Sequence, residues 1–347
     1  MSFFNAGVTP FRSKIMTSVK FVFFLGLGIF IIWLSLKDLS HEEKAQIIRS
    51  FKIANYNWVF LVIFLGICSH LLRSLRWIIL LEPMGYRISL KNSFYAVMIG
   101  YFANMAFPRL GEFTRCGIVA RYDKVPFTKA LGTVITERAL DMVIFFFLIL
   151  LTILTQIGII HNYLQTNIYP RIQGKFSNFL TNKIFLLALI IAGVILILLF
   201  IFLRKKIAHF KLYQKTIHII IGFWEGLKSL GQIRQPVLFI VYSLGIWCLY
   251  FLMLYLCFFC LPETSSLSLG AGLSALVLGS IGIIITPGGI GLYPAIVQET
   301  LILYGITNTT GLALGWIAWS AQTIMIIGIG SIALLLLSFN KNVNGKA

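Results

Sequence analysis

The chain has 347 residues, 59% of them hydrophobic and 12% charged, with a formal net charge of +18. A soluble domain runs at about 45–50% apolar and about 25% charged, so these figures exclude an ordinary soluble protein. No stretch interleaves Lys and Arg with aromatics outside the apolar runs, so the basic excess points to membrane headgroups as partners and not to nucleic acid.

Arg12, Lys14 and Lys20 precede a first apolar run, Phe21 to Leu36. No small-residue cleavage site follows it, so it reads as an uncleaved first span at about 20–36. The second span is predicted at 57–81 and contains His70, Arg73, Arg76 and Trp77. Arg76 and Trp77 lie within a turn and a half of its end, where snorkelling and aromatic anchoring explain them as well as function does. Arg73 is deeper and is a candidate partner for carboxylates elsewhere. His70 reads as a packing group.

Residues 93–120 form an apolar segment that is broken in the middle by Pro108-Arg109-Leu110-Gly111-Glu112, with Arg115 one turn on. The third span, 128–158, carries Glu137-Arg138-Ala139-Leu140-Asp141. Glu137 and Asp141 are four apart and share a face, which Thr133 extends, while Arg138 points about 100° away toward a different neighbour. Each ionisable group at depth costs about 2.5–3.5 kcal/mol on the insertion scale, so these groups need partners or water.

A fourth span is predicted at 184–203. The loop 204–236 opens with Arg204-Lys205-Lys206 and continues with helical apolar spacing, as a segment lying on anionic inner-leaflet lipid would. The fifth span, 237–261, contains Cys257 and Cys260; with no His or second pair nearby, apolar packing explains them better than metal or redox chemistry. A second broken segment, 270–303, holds Thr286-Pro287-Gly288-Gly289-Ile290-Gly291-Leu292-Tyr293-Pro294 and, further on, Glu299, which has no assigned role. The last span is predicted at 312–338. The whole chain is thus expected to be one all-α transmembrane domain of about six spans plus two broken helix pairs.

Charge sets the expected orientation. With both termini inside, the inner stretches hold 19 Lys and Arg and the outer loops 7, the bias of a cytoplasmic (inner) membrane protein. The broken segments also match each other. Pro83, Gly100 and Pro108 are spaced by 17 and 8 residues, and so are Pro262, Gly279 and Pro287. Ser89, Leu90 and Ala96 align without a gap to Ser268, Leu269 and Ala275. The charge count puts Pro83 inside and Pro262 outside, so the units form an inverted repeat, the sequence pointer to a transport site near the bilayer midplane. Each break reads either as a kinked span or as a re-entrant pair lining a cavity. In the second form, helix starts after the breaks suit a phosphate or carboxylate, and the tips at Gly111 and Gly289 approach each other.

Arg76-Trp77, Asn104, Pro108-Arg109-Leu110-Gly111-Glu112 with Arg115, Glu137-Arg138-Ala139-Leu140-Asp141 and Pro287-Gly288-Gly289-Ile290-Gly291 stand in the order and spacing of one family. The chain resembles the transmembrane, flippase-like domain of lysylphosphatidylglycerol synthases, in a stand-alone form without the soluble aminoacyl-transferase domain. The resemblance implies lipid flipping and not lysyl transfer. Many relatives carry an acidic residue shortly after PGGxG; Tyr293-Pro294 stands there in this chain, so an extra carboxylate to suit a cationic aminoacyl lipid is missing.

The resulting expectation is a transporter that moves a polar or phosphate-bearing headgroup through an intramembrane groove. Arg109, Arg115 or Arg138 would hold the phosphate, and Glu112, Glu137 and Asp141 would balance the arginines, with Arg73 among them, or contact a cationic headgroup. Pro108, Gly111, Pro287, Gly288, Gly289 and Gly291 would form the backbone hinges. No catalytic residue, cofactor or metal is expected, since HExxH, GxSxG, P-loop and paired CxxC motifs are absent from the sequence. The alternatives are a membrane-embedded transferase acting on a phospholipid or polyprenyl-phosphate, and a non-catalytic partner of an envelope-lipid enzyme.

Overall fold

A computed structural model describes Trp33, Lys37 and residues 40–106, 109–163 and 233–344. The segments 20–36 (apart from Trp33) and 184–203, nearly all of the loop 204–236, and Pro108 lie outside the described residues. Every regular element described is helical: α1 His41–Ile53, α2 Tyr56–Leu81, α3 Leu90–Ala106, α4 Leu110–Tyr122, α5 Phe127–Tyr163, α6 Pro236–Cys257, α7 Leu269–Ile285, α8 Leu292–Ile302 and α9 Asn308–Asn344. Four stretches, Tyr56–Met84, Phe127–Ile159, Pro236–Cys260 and Asn308–Leu337, are long and apolar enough to cross a bilayer core, which takes about 20 residues.

Local chemistry fixes the helix starts. Ser40 caps α1 by accepting from the Glu43 N–H while the Glu43 carboxylate accepts from the Ser40 N–H, a reciprocal pair that satisfies two otherwise orphaned donors. Asn55 accepts from the Asn57 N–H at the start of α2. Pro236 opens α6, where a missing N–H costs nothing.

The repeat seen in the spacing of helix breakers extends through the fold. Leu90 and Leu269 differ by 179 positions, as do Ala106 and Ile285, so α3 and α7 start and stop in register. Ser89 and Ser268 cap them in the same way, accepting from the N–H of Asn92 and of Ala271 respectively. Each unit is a long helix (α2 or α6), a helix hairpin (α3–α4 or α7–α8) and a 37-residue helix (α5 or α9). Such a helix is about 55 Å long, more than one hydrocarbon thickness.

The two units run in opposite directions. The N–H of Asn55, at the start of α2, donates to the carbonyl of Cys260 just past α6. Farther along, Gly66 meets Met253, Arg73 reaches Tyr250 and Arg76 reaches Ser243. As the α2 number rises the α6 number falls, so the pair is antiparallel. The α3–α4 hairpin therefore enters the bundle at the end where α2 stops, and α7–α8 enters at the end where α2 starts.

Each hairpin turns back on itself through small residues. Gly100 and Gly111 place their backbones in mutual contact, so a Cβ on Gly111 would collide with the Gly100 carbonyl and the Asn104 side chain. In the second hairpin Gly279 and Gly282 lie under Tyr293. Close backbone approach at small residues supplies the dispersion contact that holds helices together where lipid removes the hydrophobic drive. The tips meet through Gly288 and Met105, and not through Gly111 and Gly289 as the spacing suggested: Gly111 is turned inward onto α3. A 3-10 turn at Pro287–Gly289 separates α7 from α8, with Gly288 at φ 59° and Gly291 at φ 73°, left-handed values that glycine adopts without a Cβ clash. The Trp319 indole N–H donates to the Gly288 carbonyl at 2.8 Å and clamps this tip to α9.

Candidate functional site

The buried charged residues of the described helices converge on one point. Arg73 and Arg76, three apart on α2, share a face with each other, and Glu137 and Asp141, four apart on α5, do likewise. The antiparallel contact of α2 with α5 brings the faces together, pinned one turn away by the Trp77 indole N–H donating to Thr133 Oγ1 at 2.9 Å. Glu137 accepts from Arg73 at 3.2 Å and from Arg76 at 2.6 Å on Oε1, and from Arg115 on Oε2. Asp141 accepts from Arg76 at 2.6 and 3.1 Å and from Arg73 at 3.3 Å. Helix α6 completes the shell, with Tyr250 Oη 3.1 Å from Arg73 Nη2 and Ser243 Oγ 3.1 Å from Arg76 Nη1.

Three aromatic faces cover the guanidinium planes. Arg115 lies over Trp77 at 4.7 Å, Arg73 over Tyr101 at 5.7 Å and Arg76 over Phe239 at 5.8 Å. A ring face within about 6 Å of a cation is attractive, more so where water is excluded. Glu137 and Arg76 are fully buried, at 0% exposure. Removing one partner from such a buried pair costs about 3–5 kcal/mol, because the other charge is left uncompensated.

This geometry corrects the placing of Arg76 and Trp77 at the interface. Neither snorkels: both are sealed inside the bundle, and Arg76 is the most fully paired arginine of the cluster. Arg138 turns to a partner of its own, Glu112 of α4, and also toward Asp141 of its own helix. Its long side chain swings back, and its guanidinium lies 3.3 Å from Glu112 and 3.7 Å from Asp141. Arg115, expected to offer itself to a phosphate, is buried and held by Glu137. Arg109 stands exposed at the N-cap of α4 with φ 66°, a left-handed conformation uncommon for a side chain with a Cβ. Glu299 is exposed and away from these contacts, and His70 is buried with its ring 4.4 Å from that of Tyr101.

The cluster is graded from closed to open. Arg73, Arg76 and Arg115 are 0–4% exposed, whereas Arg138 is 41% exposed and its partner Glu112 is 21% exposed. A partly exposed pair contributes about 0.2–1 kcal/mol, far less than the pairs beneath it. Between the α3–α4 hairpin and α5 lies a void of about 10 Å³, bordered by Tyr101, Asn104, Gly111, Glu112, Arg115 and Arg138. Asn104 holds the hairpin tip by accepting from the Gly111 N–H at 2.6 Å. A larger apolar cavity of about 200 Å³ lies where the tips meet, against Met105, Pro287, Gly288, Ile290 and Trp319. Among the described residues no group of His, Cys, Asp and Glu has the geometry to hold a metal ion.

Sequence reasoning missed Tyr250, Ser243 and Tyr101. The first two are seven apart on α6, a polar pair on one face of an apolar helix, and that spacing was the available signal.

The profile described as Lysylphosphatidylglycerol synthase TM region matches residues 19–330. A UPF0104 membrane protein of Methanocaldococcus jannaschii is 28% identical over 145 residues, which are 41% of this chain and 40% of that relative. The similarity therefore covers less than half of that relative's length. No solved structure matches the chain. With a family profile spanning both units of the repeat and the whole ion cluster, the chain belongs to the lysylphosphatidylglycerol synthase transmembrane family of multi-pass membrane proteins.

Proposed function

We propose that this protein moves a polar, phosphate-bearing lipid headgroup through an intramembrane groove while the lipid's tails stay in the bilayer. The site of action is the bacterial cytoplasmic membrane, with both termini in the cytoplasm. The observation that carries this reading is the charge balance of the buried cluster. Among the described residues, four arginines (Arg73, Arg76, Arg115 and Arg138) meet three carboxylates (Glu112, Glu137 and Asp141) beside a helix hairpin. The surplus positive charge favours one anionic group, and guanidinium binds phosphate in two-pronged fashion.

Two features support transport over simple binding. Antiparallel repeats with broken helices are the architecture of alternating access, in which one unit rocks against the other around a fixed site. The two hairpin tips meet at Gly288 and Met105, so a movement of either unit is felt at the site between them. Met105 also borders the apolar cavity, while its neighbour Asn104 borders the polar void, so polar and apolar surfaces adjoin at one point on α3.

The test is lipid analysis of a deletion strain with leaflet-specific labelling. The reading expects one phosphate-bearing lipid to accumulate unmodified on the inner leaflet. Loss of a covalently modified lipid, with the leaflet distribution of its precursor unchanged, would favour a transferase instead.

A further inference from the structure

We propose that Arg138 is the guanidinium that receives an incoming phosphate monoanion, and that Glu112 is a placeholder carboxylate which the phosphate displaces. The identity of the phosphate as part of a lipid rests on the transport reading; the exchange itself rests on the ion-pair geometry.

Three arginines of the cluster are unavailable. Arg73, Arg76 and Arg115 are buried and each donates to Glu137 or Asp141 at the bottom of the site. Arg138 alone among the four is substantially exposed; it lies 3.3 Å from Glu112, and its 3.7 Å contact to Asp141 is the longest ion pair in the cluster. Its Nη1 faces Asp141 and its Nη2 faces Glu112, while its Nε has no hydrogen-bond partner among the protein atoms. Nε–H and Nη2–H point the same way from a guanidinium plane, and that edge is the fork which grips phosphate. Glu112 occupies one prong of it and leaves the other empty.

The remaining edges of the void repeat the pattern. Glu112 Oε2 and Arg115 Nε are likewise buried and unpartnered among protein atoms, and Arg115 is only 4% exposed. Both residues border the same 10 Å³ void together with Tyr101, Asn104 and Arg138. A phosphate that grips the Nε–Nη2 edge with both prongs takes the place of Glu112 on Nη2. The displaced carboxylate keeps a favourable location, because Glu112 lies in the first turn of α4, where the helix dipole favours negative charge. The exchange also keeps Arg138 paired with an anion at both stages, so the arginine is never bare at membrane depth.

The experiment measures binding to the full chain in detergent at fixed salt. The probes are dihexanoylphosphatidylglycerol, its phosphate-free counterpart dihexanoylglycerol, and inorganic phosphate. Glu112→Gln keeps the shape and removes the competing charge, so it should tighten the phospholipid about fivefold or more. Arg138→Gln should weaken it by at least as much, and Arg138→Lys, which keeps the charge without the fork, should fall between. Dihexanoylglycerol should bind alike to all variants. If Arg138→Gln unfolds, the Glu112→Gln and Arg138→Lys arms decide the question alone. Unchanged or weaker phospholipid binding by Glu112→Gln, or unchanged binding by a folded Arg138→Gln, would overturn the exchange. If inorganic phosphate follows the same pattern at equal affinity, the exchange stands and the lipid reading falls.

Discussion

The α3–α4 hairpin places Asn104, Glu112 and Arg115 where α7–α8, in the register shared by α3 and α7, has Ile283, Gly291 and Pro294. Both hairpins pack through glycines and start with a serine cap, yet only the first carries charge into the bundle. The contrast continues on the 37-residue helices. Aligned on their first residues, Phe127 and Asn308, Arg138 of α5 corresponds to Trp319 of α9. Arg138 meets the carboxylate of its own hairpin, and Trp319 donates to the Gly288 carbonyl of its own. One scaffold thus presents an ionic contact on one side and a neutral backbone contact on the other. The first is the contact we propose exchanges with an anion; the second holds its hairpin tip by one neutral hydrogen bond.

The comparison breaks most sharply at Glu137. Glu137→Gln leaves Arg115 without a carboxylate and Arg73 and Arg76 with Asp141 alone, and should cost about 3–5 kcal/mol in stability. Loss of monodisperse protein on size exclusion, or a steep fall in thermal unfolding temperature, is the expected outcome. Normal stability would mean that the cluster does not hold the first unit together.

Next in size is Gly111→Ala, whose Cβ meets the Gly100 carbonyl and Asn104; overpacking of this kind costs about 1–3 kcal/mol. Gly117→Ala on the same helix meets nothing within 4 Å and should be neutral or stabilising by about 0.5–1 kcal/mol. Thermal unfolding of the pair separates close packing from general sensitivity of α4.

The register itself is tested by the caps. Ser89→Ala and Ser268→Ala should each cost about 1 kcal/mol, by the same amount within error if the two helix starts are equivalent. Smallest is Trp319→Phe, which keeps the ring and removes one hydrogen bond to Gly288, a loss of about 0.5–1.5 kcal/mol. A larger effect on transport than on unfolding temperature would mark that contact as part of the hinge.

Much of this architecture was legible in the sequence because proline, glycine and serine act locally. Pro108 and Pro287 each stand two residues past the ends of α3 and α7, as a residue without an N–H should, while Gly100 and Gly279 lie inside those helices at the same register. The pairing of Arg73 with Glu137 and Asp141 was also within reach, as ionisable groups at depth must find opposite charges. Near the helix end, snorkelling and function read alike for Arg76; its place three residues after Arg73, on the same side of α2, is what brings it to Asp141 and Glu137. The roles of Tyr250, Ser243 and Tyr101 depend on which helices neighbour α2, and a single sequence does not fix tertiary neighbours. The reach of Arg138 back to Glu112 depends on rotamers, which helical angles of Cβ atoms leave open.

The most direct measurement is the movement of headgroup-labelled phosphatidylglycerol across the bilayer of vesicles containing the purified chain, read by quenching the outer-leaflet label. The account expects transfer well above that of protein-free vesicles with the unsubstituted chain, and transfer at the protein-free rate with folded Arg138→Gln. Transfer by Arg138→Gln equal to that of the unsubstituted chain, or no transfer by the unsubstituted chain, would contradict it.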